Sequence, residues 1–134
     1  HWLLTQLGFK VEMLSANVFN HDKKELSPEF DHMTLLVHLD KDYLADIGFG
    51  DSFRKQIEIP TGESEDISGH YKVFNIDSNR YELQRKEDEE WKLQYTFTTI
   101  SRKFSDFKEI CDFQQDSPTS HFRTRTKCTI ATLN

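Results

Sequence analysis

The chain has 134 residues, a formal net charge of −6 and a pI near 5.5, which argues against DNA or RNA as partner because a phosphate-binding face needs clustered Lys and Arg. A hydrophobic share of 36% with mean hydropathy −0.70 is low without being that of a disordered chain, and 11 Phe, 4 Tyr and 2 Trp supply burial for a compact, β-rich fold. No apolar run approaches the roughly 20 residues that span a bilayer, so a soluble protein with no membrane partner is expected.

Trp2, Leu3 and Leu7 with Gly8 behind them fit the last turns of a buried helix closed by a C′ glycine. From Phe9 to Phe19 apolar residues nearly alternate, predicting a strand with a bulge around Ser15-Ala16. Residues 20–31 read as a charged surface loop. Two apolar runs, Met33–Leu39 and Tyr43–Ile47, flank Asp40-Lys41-Asp42 in the pattern of a β-hairpin. Gln56–Ile59 predicts a short strand ended by Pro60-Thr61-Gly62, and the acidic segment Glu63–Asp66 reads as solvated loop.

Tyr71–Ile76, Tyr81–Lys86 and Trp91–Thr98 are short alternating runs separated by turn residues, the signature of an antiparallel meander closing into a small barrel or sandwich. Composition then changes. Phe104, Phe107, Ile110, Cys111 and Phe113 fall close to helical spacing, so Ser101–Phe113 predicts a helix, with a short helical turn at Ser117–Ser120 and a strand over Thr126–Leu133. The chain opens on the end of a helix and stops in the middle of a strand, which reads as a piece of a longer protein.

The hairpin carries the chemistry worth weighing. His32 stands at the mouth of its first strand and Asp46 lies in its second, followed by Gly48-Phe49-Gly50, which lets the backbone turn sharply. Such a His–carboxylate pair reads either as a surface ion pair or as two members of a nucleophile–His–Asp triad. An Asp among Tyr43, Leu44, Ala45 and Ile47 is costly to bury unless hydrogen-bonded, which favours the triad.

No nucleophile completes it. Cys111 reads as a core cysteine, Cys128 falls in a Thr-rich segment, and no Ser occupies a G-x-S-x-G elbow. The two cysteines lack C-x-x-C spacing and no signal peptide precedes them, so no disulfide or zinc site is expected and a reducing cytoplasm is the default. The six histidines (His1, His21, His32, His38, His70, His121) show no ligand spacing. His38, on the strand of His32, reads as structural or solvent-facing.

The order H-x-x-L-L-V, acidic turn, Y-L-x-D-x-G-F-G over His32–Gly50 resembles the arylamine N-acetyltransferases. The likeness extends over nearly the whole chain: residues 1–19 look like the passage from the family's helical domain into its barrel. Tyr95-Thr96-Phe97, Asp106-Phe107 and the SPTSHF segment Ser117–Phe122 look like its Y-x-F, DF and SPxSxF signatures.

The resemblance implies an α+β fold, mostly β. An antiparallel β-barrel (9–100) would be preceded by the end of a helical domain (1–8) and followed by the first part of an α/β lid (101–134), with a cysteine-protease-like triad in the parent protein. It implies ping-pong transfer of acetyl from acetyl-CoA to the nitrogen of an arylamine, hydrazine or arylhydroxylamine. His32 would activate the thiol and Asp46 orient His32. Asp31 and Phe49 would contact the acceptor, and Phe113 and Thr119 would line the acetyl-CoA site. No metal is implied.

The chain departs from the family in several places: its hairpin turn Asp40–Asp42 is one residue tighter than in some members, and the family's last strands and C-terminal helix would follow Asn134. The R-G-G-x-C nucleophile motif would fall about eight residues before His1, and Pro28-Glu29 stands where a Thr-Gly or Pro-rich loop often meets the coenzyme. The 134-residue chain alone is therefore expected to be inactive. A small non-enzymatic barrel binding an apolar ligand in its aromatic interior, or a degenerate interaction domain, is the alternative reading.

Overall fold

The computed structural model describes residues 1–126 and 128. Its organising element is the 11-residue strand β1 (Lys10–Asn20), which pairs along one edge with β3 (His32–His38) and along the other with β9 (Glu90–Thr98). A helical turn α1 (Trp2–Gln6) precedes β1, and the two-residue β2 (Glu25–Leu26) returns alongside its end. Beyond β3 come β4 (Asp42–Ala45) and β5 (Ile57–Ile59). Beyond β9 come β8 (Arg80–Glu87), β7 (Gly69–Asn75) and β6 (Gly62–Asp66). The order β5-β4-β3-β1-β9-β8-β7-β6 is antiparallel throughout.

The sheet curls until its two ends meet. A Cβ on Gly62, at the start of β6, would lie 2.6 Å from the Glu58 carbonyl oxygen and 2.9 Å from the Glu58 nitrogen in β5. Only a residue without a side chain permits that approach. The result is a nearly closed barrel whose interior is filled by Leu14, Leu44, Tyr71, Leu83, Tyr95 and Phe97, all essentially without solvent contact. Each such side chain stabilises the fold by about 1.5–3 kcal/mol on burial.

Several expectations are corrected. The β1–β3 register runs unbroken from Lys10↔His38 to Ala16↔His32, so Ser15-Ala16 forms no bulge there; the irregularity falls at Leu83/Gln84 between β8 and β9. Leu14, Ser15 and Ala16 are all buried because β1 is covered on both faces, and that covering had mimicked a break in alternation. The acidic segment is not a loop but β6, in which Ser64 faces inward between exposed acids. Burial pushes the Asp66 carboxyl up, but the Ser68 hydroxyl and the backbone N–H groups of Arg54, Ser68 and Lys55 outweigh it and hold the pKa at about 2.

Gly8 does sit in the left-handed region at φ +88 behind α1, yet Trp2, Leu3 and Leu7 are exposed rather than buried. After the barrel, the predicted helix over Ser101–Phe113 is a 3-10 turn (Phe104–Phe107) followed by α2 (Lys108–Asp116). Cys111 lies on the exposed side of α2, not in the core, because Phe107 is the residue that anchors this segment. The short helix starts after Ser117–Ser120: α3 (His121–Thr124) is capped by the Ser120 hydroxyl, which accepts the N–H of Phe122. The strand expected over Thr126–Leu133 lies outside the described residues.

Candidate active site

The end of the β3–β4 ladder builds the site. Pairing stops at Leu35↔Ala45, and the Thr34 hydroxyl donates to the Ala45 carbonyl (3.3 Å), standing in for a strand partner. The chain then turns. Asp46 Oδ1 accepts the N–H of Gly48 (3.0 Å), a two-residue Asx-type turn that swings the carboxylate under β3. There Asp46 Oδ2 meets His32 Nε2 at 2.6 Å. The side chain of Asp46 is 1% exposed and that of His32 12%, so this is no surface ion pair.

A third group completes the cluster. The hydroxyl of Tyr95, on β9 across β1, donates to Asp46 Oδ2 at 3.0 Å and lies 3.5 Å from the Thr34 hydroxyl. Burial first, and then the Asp46 charge, push the Tyr95 phenol well above its ordinary range, so it stays protonated as a donor. The buried carboxylate therefore has three hydrogen-bond donors, which is what makes its burial affordable. Phe49 packs its ring 5.1 Å from the His32 imidazole and 5.0 Å from the Tyr95 ring, partly covering both.

With Nε2–H committed to Asp46, the neutral imidazole keeps its lone pair on Nδ1. Nδ1 has no hydrogen-bond partner among the described residues, so it is able to take a proton from an incoming group. Neither Cys111 nor Cys128 supplies one: both are exposed, and Cys111 Sγ accepts from Gln115 Nε2 at 2.8 Å.

The other sequence-predicted residues separate. Asp31 and Phe113 meet, not on the His32 side with Phe49, but in a groove of about 490 Å³ between the β1–β2 hairpin and α2–α3, which Phe19, Pro28, Gln114 and His121 also line. Thr119 is exposed and bonds Ser117 through its hydroxyl (2.9 Å). Of the predicted turn glycines, Gly50 has positive φ (+74) and Gly48 does not. Sequence reasoning missed Tyr95 as part of the site. Its signal was the Y-x-F alternation, which turns both rings inward and leaves a buried phenol in need of an acceptor. Among the described residues no group of three His, Cys, Asp or Glu side chains is disposed to hold a metal, and no helix is long and apolar enough to cross a membrane.

The fold is thus a nearly closed antiparallel barrel whose rim holds a carboxylate buried behind an imidazole. An N-acetyltransferase family model matches residues 1–134, and the chain belongs to the arylamine N-acetyltransferase family. It is 28% identical to arylamine N-acetyltransferase 2 of Rattus norvegicus, an alignment covering 99% of this chain and 53% of the relative. The structure superposes on a Mycobacterium smegmatis arylamine N-acetyltransferase with TM-score 0.77 at 30% identity, covering 90% of this chain and 46% of that one. With the Mycobacterium marinum arylamine N-acetyltransferase in complex with CoA, the TM-score is 0.77 at 26% identity, over 90% and 46% of the two chains. The chain thus spans about half the length of the curated relatives it matches.

Proposed function

We propose that the protein to which this chain belongs transfers acetyl from acetyl-CoA to the nitrogen of an arylamine, hydrazine or arylhydroxylamine, with His32 and Asp46 as two members of a Cys-His-Asp triad. The observation that carries this reading is the 2.6 Å bond between His32 Nε2 and a fully sequestered Asp46, which leaves Nδ1 as the free base. The thiol is contributed by a cysteine outside these 134 residues.

His32 Nδ1 removes the thiol proton, and the thiolate attacks the acetyl carbonyl carbon. The bond to the CoA sulfur breaks and CoA leaves as its thiol, taking a proton. The amine nitrogen then attacks the enzyme thioester, the carbon–sulfur bond breaks, and the amine proton stays on His32, which had given its first proton to the departing CoA, so the thiolate–imidazolium pair is restored. Asp46 holds the proton on Nε2 and stabilises the imidazolium, while Tyr95 and Gly48 hold Asp46. Phe49 offers an aromatic wall beside His32 for the acceptor. Asp31, which the resemblance gives to the acceptor, lies on the groove of Phe113 and is assigned with it and with Thr119 to the acetyl-CoA approach, the segment after the barrel forming the start of the lid. The barrel interior, filled by Tyr71, Tyr95 and Phe97, does not favour a ligand-binding barrel.

The test compares the full natural chain with the 134-residue chain, assaying CoA-thiol release from acetyl-CoA with an aromatic amine. Turnover is expected from the full chain and none from the short one. Undiminished turnover in a full-length His32→Ala protein would sink the reading. Cysteine-dependent turnover by the short chain would move the thiol to Cys111 or Cys128.

A further inference from the structure

The three residues that lead into His32, Glu29, Phe30 and Asp31, are gripped from two sides, chiefly by the segment that follows the barrel. On one side, Ser15 Oγ donates to Glu29 Oε1 at 3.0 Å and Arg102 Nη2 donates to the same oxygen at 2.6 Å. The Arg102 guanidinium also lies 5.2 Å above the Phe30 ring, whose edge meets buried Phe107 at 5.2 Å between centroids. On the other side, Gln114 Nε2, from α2, donates to Asp31 Oδ1 at 2.7 Å.

Gln114 is itself held in one orientation. The Ser120 hydroxyl, 2% exposed, lies 2.7 Å from Gln114 Oε1 and 3.0 Å from the Gln114 carbonyl oxygen. An amide whose oxygen accepts from Ser120 must turn its NH₂ to Asp31. Between the two grips Phe30 has φ +69, a left-handed conformation that costs a residue with a side chain and persists only where its neighbours over-determine it.

We infer that Gln114, oriented by Ser120, is a positioning residue for His32: it fixes Asp31 and, across the single peptide that joins Asp31 to His32, the backbone from which the imidazole projects. This rests on the reading of His32 as the general base. It gives the last Ser of the SPTS segment a task beyond capping α3, and it makes the seating of α2–α3 a condition for the base to stand in register, where an ångström of displacement slows chemistry by orders of magnitude.

The test uses the full natural chain with two readouts, the His32 ring resonances by ¹³C-edited NMR and steady-state acetyl transfer from acetyl-CoA to an aromatic amine. Gln114→Ala and the nearly isosteric Gln114→Met are expected to displace the His32 resonances and lower kcat about tenfold, with both KM values within twofold. Ser120→Ala should do the same more weakly, and Ser120→Thr should restore both readouts. Gln115→Ala, one position along on the same helix, should change neither.

Unmoved His32 resonances in Gln114→Met overturn the inference, as does a KM rise with kcat intact, which would make Gln114 a substrate contact. A wild-type protein that transfers no acetyl overturns the functional reading instead, and the resonances alone then decide the positioning role.

Discussion

One strand carries two histidines, and their surroundings differ in the respect that matters for catalysis. His32 opens β3 and His38 ends it. His32 gives one nitrogen to a single buried carboxylate, keeps the other free, and is walled by Phe49 and Tyr95. His38 gives Nδ1 to Asp42 at 2.6 Å and Nε2 to Glu12 at 2.8 Å, with partners that are 52% and 28% exposed. Proximity to a carboxylate therefore says little about function. A base needs an unspent nitrogen and a desolvated partner, whereas a ring bonded at both nitrogens is a strut that ties β1, β3 and β4 together.

The largest expected effect comes from breaking the buried pair. In the full-length protein, Asp46→Asn removes the charge that fixes the imidazole while keeping the shape. Acetyl transfer should fall about 10³-fold or more, with secondary structure by circular dichroism unchanged. Retention of a tenth of the activity would show that Asp46 is structural.

Next in size is Tyr95→Phe. It deletes one donor to the buried carboxylate and no ring packing, so stability should drop by about 1–2 kcal/mol in urea titration, with roughly tenfold lower turnover. A stability change without an activity change would separate Tyr95 from the site.

At the other end of β3, His38→Gln should leave turnover within twofold and cost under about 1 kcal/mol, since its ion pairs are solvent-screened. A large activity loss there would erase the contrast between the two histidines.

The smallest effect is a pH dependence. The His38 hydrogen bond, chiefly, and one from Ser101 hold the Glu12 carboxyl below its ordinary value of 4.5. A depressed folded-state pKa stabilises above the unfolded value and loses that contribution as pH falls through the folded one. The melting temperatures of wild type and His38→Gln should therefore differ at pH 6 and converge as pH is lowered below 4.5; a constant gap would mean that Glu12 gains nothing from His38.

Most of the strands were legible in the residues, because inside–outside alternation is a local property: Tyr71–Ile76, Tyr81–Lys86 and Trp91–Thr98 became β7, β8 and β9 with ends shifted by a residue or two. The misreadings fell where burial comes from distant chain. Ser15-Ala16 resembled a bulge because Glu29 and Arg102 cover the outer face of β1. Glu63–Asp66 resembled a loop because the inward Ser64 is no signal of burial, and the Asp66 carboxylate is held in its charged form by N–H groups from residues 54 and 55. Cys111 kept helical spacing with Phe107, yet α2 presents only part of that apolar stripe to the barrel.

For the site, the hairpin alone determined that His32 and Asp46 would lie near each other, since a short turn between two alternating runs leaves little choice of register. Only the tertiary structure decided which imidazole nitrogen is spent and that Asp46 is sealed from water. It also decided that Tyr95, 49 residues further along, supplies the carboxylate's third donor. The reason is physical: strand pairing is settled by neighbours in sequence, but the desolvation and hydrogen-bond satisfaction of a buried charge are settled by whatever the closed sheet brings across from its far side.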